Sequence, residues 1–454
     1  MNDNALKANT AGITATLARF LVQSRYEDIP APVRHEAARA VLNWLGCAIG
    51  AANHETIDCA WAALAPFAGA EQASLVGRRE RTDVLHAAMI NGISSHVLDF
   101  DDTHARTVHP SAPVLPAILA LSEWKKLSGA QFVHAFVLGV DAECRIGISV
   151  FPEHYNVGWH ITGTAGVFGA AAATGKLLGL NEQQMRWALG IAATQSSGLR
   201  EMFGTMCKSF HPGHAARNGL IAALLASKNF TSSERAIEAP RGFGHVLSTK
   251  FDPTMITGDL GRRYELSSNM YKPYACGLVV HASIDGCVEL RREHQMKPDD
   301  IERVELTVWP MVLELTGNKK PQTGLEGKFS VYHAAAVALL YGAALESEFS
   351  EAVVRDPRVT ALRDRVTATA DASVGKLEAH VKITLRNGTV LKHHVAHALG
   401  SLQRPMSDTD LENKFRGLVT GVLPPAQIEE LIGLCWKVGE LEDVGAIARA
   451  AVPR

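Results

Sequence analysis

I-E-R-V-E-L-T-V-W (301–309) breaks the pattern of the chain around it. Val304, Leu306 and Val308 alternate with polar residues, the period of a strand with one face buried. The alternation returns in H-V-K-I-T-L-R-N-G-T-V-L-K (380–392), where Asn387-Gly388 signals a two-residue hairpin turn. A helical pattern over 328–345 lies between the two stretches. Outward from this region, apolar residues recur at helical spacing. Residues 11–25, 31–52, 57–66, 83–97, 114–127, 131–150, 158–180, 183–198 and 214–227 read as helices before it, and 407–454 returns to helices after it. The fold class expected is therefore mainly α with an α+β lid. A large all-helical domain is drawn from both chain ends, residues 1–265 and 401–454, and a smaller α+β domain, residues 266–400, is inserted.

The totals agree with this layout. At 454 residues the chain exceeds one ordinary core. With 47% hydrophobic and 20% charged residues it reads as a soluble globular protein. A net charge of −2 gives no case for nucleic-acid binding, and no apolar run reaches the roughly 20 residues of a membrane span. The opening M-N-D-N-A-L-K-A-N-T lacks the basic and apolar regions of a signal peptide. Seven scattered cysteines without a C-x-x-C pair argue against a disulfide framework and for a reducing cytoplasm.

Chemistry concentrates in H-V-L-D-F-D-D-T-H-A-R-T-V-H-P-S-A-P (96–113), which sets Asp99, Asp101, Asp102, His104, Arg106 and His109 between apolar helices. Such a cluster serves acid–base work or a divalent metal on residue type alone. No H-x-x-x-H or H-E-x-x-H spacing supports the metal, so none is expected. The plain alternative for the aspartates is helix capping. Gly163, Gly166 and Gly169 do not make G-x-G-x-x-G, and a buried small-residue helix face is the preferred reading. His160 precedes that helix. Lys208, His211, His214 and Arg217 fall among glycines and a proline ahead of helix 214–227, a plausible carboxylate site. His211 and His214 could equally cap that helix. Cys207 and Cys276 read as packing, and the pair His393–His394 as exposed.

Taken together, H-V-L-D-F-D-D-T-H with V-H-P-S-A-P-V-L-P-A, G-W-H-I-T-G-T-A-G, F-G-T-M-C-K-S-F-H-P-G-H-A-A-R-N-G, Y-K-P-Y-A-C-G and G-K-F-S-V-Y-H-A-A-A-V-A-L-L resemble the MmgE/PrpD family over roughly residues 10–440. The resemblance implies a cleft between a helical domain and a lid, a homodimer, and catalysis without metal or organic cofactor. It implies that Asp99, His109, His160, Lys208 and Lys272 are catalytic, with Thr103 beside them. Arg106 and His214 are expected to help hold carboxylates, and either Tyr332 or His333 to face the cleft. Gly277 stands where the family's decarboxylase pattern has a histidine. The expected substrate is a small anionic di- or tricarboxylate, deprotonated next to a carboxylate. An epimerase-type outcome, similar to iminodisuccinate epimerase, is expected. A hydro-lyase of the 2-methylcitrate dehydratase kind is the alternative, and a non-catalytic polycarboxylate-binding protein is the further one.

Overall fold

A computed structural model describes residues 12–454. The opening decapeptide, read above as lacking a signal peptide, lies outside the described residues. The chain begins with α1 (Ile13–Gln23) and α2 (Ala31–Gly50). Then come α3 (Val84–Val97), α4 (Ser111–Lys125), α5 (Gly129–Val150), α6 (Ile161–Leu177) and α7 (Cys207–Ser227). Between α3 and α4 the short strand β1 (Thr103–His104) pairs antiparallel with β2 (Asn269–Met270), Thr103 opposite Met270. After β2 follow α8 (His281–Glu293), β3 (Ile301–Val308), α9 (Val331–Tyr341), β4 (Val366–Ala370), β5 (Ala379–Leu385) and β6 (Val390–Val395). The tail forms α10 (Asp408–Val419) and α11 (Pro425–Trp436).

The molecule is mainly α with a small α+β part. The sheet runs β4-β3-β5-β6, with β3 and β4 parallel and the other pairs antiparallel. The alternation read in 301–309 puts Val304, Leu306 and Val308 on the buried face. Gly388, at φ 86, closes the β5–β6 hairpin in the left-handed conformation an Asn-Gly turn needs. Strand β4, V-T-A-T-A, shows no strong apolar alternation. Its place at the edge of the sheet comes from pairing with β3.

Of the four apolar cores among the described residues, two bear most on the site. One joins buried residues of α2, α4 and α5 to Leu411, Phe415, Leu431 and Ile432 of the tail. The other fills the sheet and its helices from Ala275 to Ala398, and receives Val97, Leu98 and Phe100 from the end of α3. The chemistry-bearing loop thus leaves a helix rooted in the helical body and enters the core of the sheet.

The small-residue reading of α6 holds at atomic distances. A Cβ at Gly169 would come within 2.4 Å of Glu143 Oε2, and one at Gly166 within 2.7 Å of Pro113. Several helix bounds differ from expectation, among them Ala193 for an expected end at 198 and Val331–Tyr341 for an expected 328–345, and two shifts bear on the site. α4 starts at Ser111 rather than 114, because prolines are tolerated in a first turn. α7 starts at Cys207 rather than 214 and carries Pro212 inside it. Lys208 and His211 therefore stand within the first turns of a helix, not in a loop ahead of it. Among the described residues no helix is long and apolar enough to cross a membrane, and all seven cysteines are unpaired.

Candidate active site

A cavity of about 430 Å³ opens between the helical body and the sheet-bearing part. The body supplies Asp99, Thr103, Arg106, His109, His160 and Lys208 to its wall. The opposite wall carries Gly277, Trp309, Thr316, Phe329 and Lys376, and Lys272 reaches in from the segment after β2.

Asp99 sits where α3 stops. Its φ of 50 is left-handed, a conformation that Asp and Asn adopt more readily than other side-chain-bearing residues, and it follows directly after the helix cap at Leu98. The reversal aims its carboxylate at two buried lysines. Lys208 Nζ donates to Asp99 Oδ1 at 2.6 Å, and Lys272 Nζ lies 3.2 Å from the same oxygen while donating to the Asp99 carbonyl at 2.9 Å. The β1–β2 pairing, two residues before Lys272, brings that lysine to the loop. Burial opposes ionisation of Asp99, but Lys208 and Lys272 outweigh it and hold the carboxyl well below its usual range. Burial also lowers Lys208, against the pull of Asp99. The rings of Phe203 and Phe329 flank the Lys208 ammonium at 5.6 and 5.5 Å, close enough for cation–π attraction.

A second layer orients this pair. His96 Nδ1 meets Asp101 Oδ2 at 2.8 Å, and Lys208 Nζ donates to His96 Nε2 at 3.1 Å. Burial drives His96 down to about 3 despite Asp101, so it is a neutral acceptor for the lysine. Burial alone would raise Asp101, but His96 and His109 hold it well below the carboxylate range. His109 donates from Nδ1 to the Asp102 carbonyl at 2.8 Å, with Asp101 Oδ2 at 3.4 Å and Thr103 Oγ1 at 3.3 Å. A carbonyl oxygen only accepts, so this contact fixes a hydrogen on His109 Nδ1. Asp102 faces away, accepting from Ser111 at 2.6 Å and Asn269 at 2.7 Å. Its burial, with Asp101 nearby, pushes it up to about 7.

His160 occupies the position just before α6, as the sequence suggests, without its side chain bonding the helix end. Its Nδ1 lies 2.9 Å from His211 Nδ1. Burial first, then Lys208 and His211, hold His160 well below the usual imidazole range.

The geometry brings Asp99, Thr103, Arg106, His109, His160, Lys208 and Lys272 to one cleft. It does not bring the other three expected contacts there. His214 is turned toward Asn218, Ser197 and Phe210, outside the wall. Tyr332 is buried in the core around the sheet. His333 is fully buried and hydrogen-bonds the Glu348 carbonyl through Nε2 at 3.0 Å. Phe329 occupies the wall instead, since α9 starts only at Val331 and turns the following side chains into the core. His104, from the same cluster, is buried against Glu265 rather than facing the cleft. Sequence reading gave no role to His96, Phe203, Trp309 or Lys376. Only His96 carried a signal, its place in the 96–113 cluster.

His96, Asp99 and His109 could on residue type hold a metal ion, as could the lid cluster Glu378, His380 and His394. In the cleft two ammonium groups already crowd Asp99 Oδ1, so a cation there would meet like charge.

Fold and site together define a two-part protein with a cleft lined by histidines, lysines and one carboxylate. The sequence model of the MmgE/PrpD N-terminal domain matches residues 15–256, and that of the MmgE/PrpD C-terminal domain matches residues 274–438. The chain belongs to the MmgE/PrpD family. It is similar to cis-aconitate decarboxylase of Aspergillus terreus, 27% identical over 467 residues that cover 96% of this chain and 94% of the relative. Cis-aconitate decarboxylase of Mus musculus is 29% identical over 382 residues, 80% of this chain and 78% of the relative. The mitochondrial 2-methylcitrate dehydratase of Yarrowia lipolytica is 23% identical over 472 residues, 95% and 88% respectively.

Proposed function

We propose that this chain is a lyase that binds a small tricarboxylate and moves a proton at a carbon next to one of its carboxylates. The observation that carries the reading is the charge of the wall. Arg106, Lys208, Lys272 and Lys376 line the cleft against the single carboxylate of Asp99. An anion with two or three carboxylates offsets that excess through charge-assisted hydrogen bonds. Lys208 and Lys272 hold the carboxylate beside the reacting carbon and stabilise the enediolate-like charge left when the proton departs. His109 takes the proton at Nε2, with its Nδ1–H anchored by the Asp102 carbonyl. His160 serves as the second acid–base group. Elimination of a β-hydroxyl or loss of carbon dioxide both pass through charge spread into a carboxylate, and the relatives' names favour these outcomes.

An epimerase-type outcome is the second reading. Gly277 favours it, because it lines the cleft where the decarboxylase pattern carries a histidine. A cytoplasmic homodimer is part of the proposal. Seven unpaired thiols fit a reducing compartment, and sedimentation tests the dimer. The deciding experiment incubates the protein with 2-methylcitrate and with cis-aconitate, following unsaturated product by absorbance and by proton NMR. A chiral iminodisuccinate in deuterated water tests epimerisation. Turnover of a tricarboxylate that falls at least about a hundredfold in His109→Ala supports the lyase reading. Deuterium entry into iminodisuccinate alone replaces it with the epimerase. Inertness toward all three refutes the proton-transfer reading.

A further inference from the structure

His160 and His211 meet nitrogen to nitrogen across the wall of the cleft, 2.9 Å apart at their Nδ1 atoms. Two imidazoles can share such a contact only if one Nδ1 carries the hydrogen and the other offers its lone pair. The tautomer of one ring therefore fixes the tautomer of the other. Among the described residues neither Nε2 has a hydrogen-bond partner in the protein, and neither is sealed from accessible space. His160 lines the cleft, whereas His211 does not. Both rings are buried overall. Burial, reinforced by Lys208 and then His214, holds His211 down to about 4, so both rings are neutral at physiological pH.

We propose that the His160–His211 pair is a proton relay through the cleft wall, with His211 the outer partner that exchanges protons with solvent. This rests on the proton-transfer reading above. At the start His160 carries its hydrogen on Nδ1 and His211 on Nε2. His160 Nε2 takes a proton from the cleft, its Nδ1 hydrogen passes to His211 Nδ1, and His211 Nε2 releases a proton to water. One proton has crossed and both rings stay neutral. The reverse sequence resets the pair: His211 Nε2 takes a proton from water, and His160 Nε2 gives one to the carbanion, the leaving group or a cleft water. A turnover that removes a proton and later returns one, as elimination of water does, uses both directions and leaves the pair as it began. The arrangement lets a buried group trade protons with solvent without opening the cleft.

The test has two arms. In protein labelled with ¹⁵N-histidine, NMR is expected to show one protonated and one unprotonated Nδ1, scalar-coupled across the hydrogen bond. The signals are assigned with His160→Asn and His211→Asn. Two uncoupled rings, both protonated at Nε2, overturn the proposal whatever the protein turns over. The second arm uses 2-methylcitrate and cis-aconitate. His211→Asn keeps a hydrogen bond to His160 but cannot relay. Its kcat is expected to fall at least about tenfold with KM nearly unchanged. His211→Ala leaves a ring-sized gap beside Gly198, and added imidazole is expected to restore much of its lost kcat. Wild-type turnover in His211→Asn, or no rescue of a folded His211→Ala, overturns the relay. If the unaltered protein acts on neither compound, the lyase reading falls while the NMR arm still decides the pair.

Discussion

Replacing Asp99 by asparagine should weaken the fold and tighten anion binding at once. Asparagine tolerates the left-handed backbone at this position, so the loop keeps its course. What goes is the single negative charge between Lys208 and Lys272. Both ammonium groups touch the same carboxylate oxygen at 2.6 and 3.2 Å. They therefore lie at most about 5.8 Å apart, where unit charges at an effective dielectric constant of about 20 repel by roughly 3 kcal/mol. Removing one partner of a buried pair costs about 3–5 kcal/mol by the same reasoning. Asp99→Asn is thus expected to lose about 3 kcal/mol in urea unfolding at low salt. Citrate, by supplying the missing charge, should stabilise the variant more than the unaltered protein, and calorimetry should show at least about tenfold tighter citrate binding, or 1.4 kcal/mol. Turnover should fall, because lysines satisfied by a bound ground state have less to offer the transition state. A variant that loses less than about 1 kcal/mol, or binds citrate more weakly, would falsify the view of Asp99 as counter-ion to the lysines.

Further expectations concern the surrounding groups. Asp102 is pushed up to about 7 in the fold from an ordinary 3.8, so its contribution to stability is full below about pH 4 and is lost as pH rises through 7. Asp102→Asn should gain on the unaltered protein between those limits by a few kcal/mol at most, and parallel urea titrations at the two ends that show no relative gain would refute this. Gly277→His should fold normally, since a Cβ there meets only Thr316 and Lys328 at 3.6 and 3.7 Å. Assayed with cis-aconitate, it should release more carbon dioxide, and an unchanged rate would remove Gly277 from the list of reaction-determining positions. Lys376→Ala, at the mouth of the cleft, should raise KM several-fold at constant kcat. A fall in kcat alone would instead place Lys376 at the reacting carbon.

The sequence carried the fold's two periods openly, because each comes from residues close together in the chain. Val304, Leu306 and Val308 announce their strand without help. Strand β4 does not, because partners far along the chain hold V-T-A-T-A in the sheet. The same limit applies at the site. Asp99, His109, His160, Lys208 and Lys272 sit in dense, unusual surroundings that mark them in one dimension. Phe329 is marked only by what it touches, and the pairing of His211 with His160 shows only in the fold. The start of α7 was misplaced because Pro212 reads as a boundary, yet it sits where the missing hydrogen-bond donor frees only the Lys208 carbonyl. Tyr332 and His333 were expected at the cleft from the family resemblance, but the first turn of α9 takes both into the core.

Lys414 of α10 reaches across the helical body to hold the carbonyls of Phe100 and Lys272, at 2.6 and 2.9 Å, and the side chain of Asn43 at 2.7 Å. It ties the backbone beside Asp99 to the backbone of the second lysine. This sets an order on synthesis. A ribosome has made nine-tenths of the polypeptide before the residue that fixes the catalytic loop exists. Until then the β1–β2 pairing holds the loop near the second lysine, but the tie that Lys414 makes between them is missing. Premature termination anywhere before α10 should therefore yield protein without activity, however well its first helices have packed.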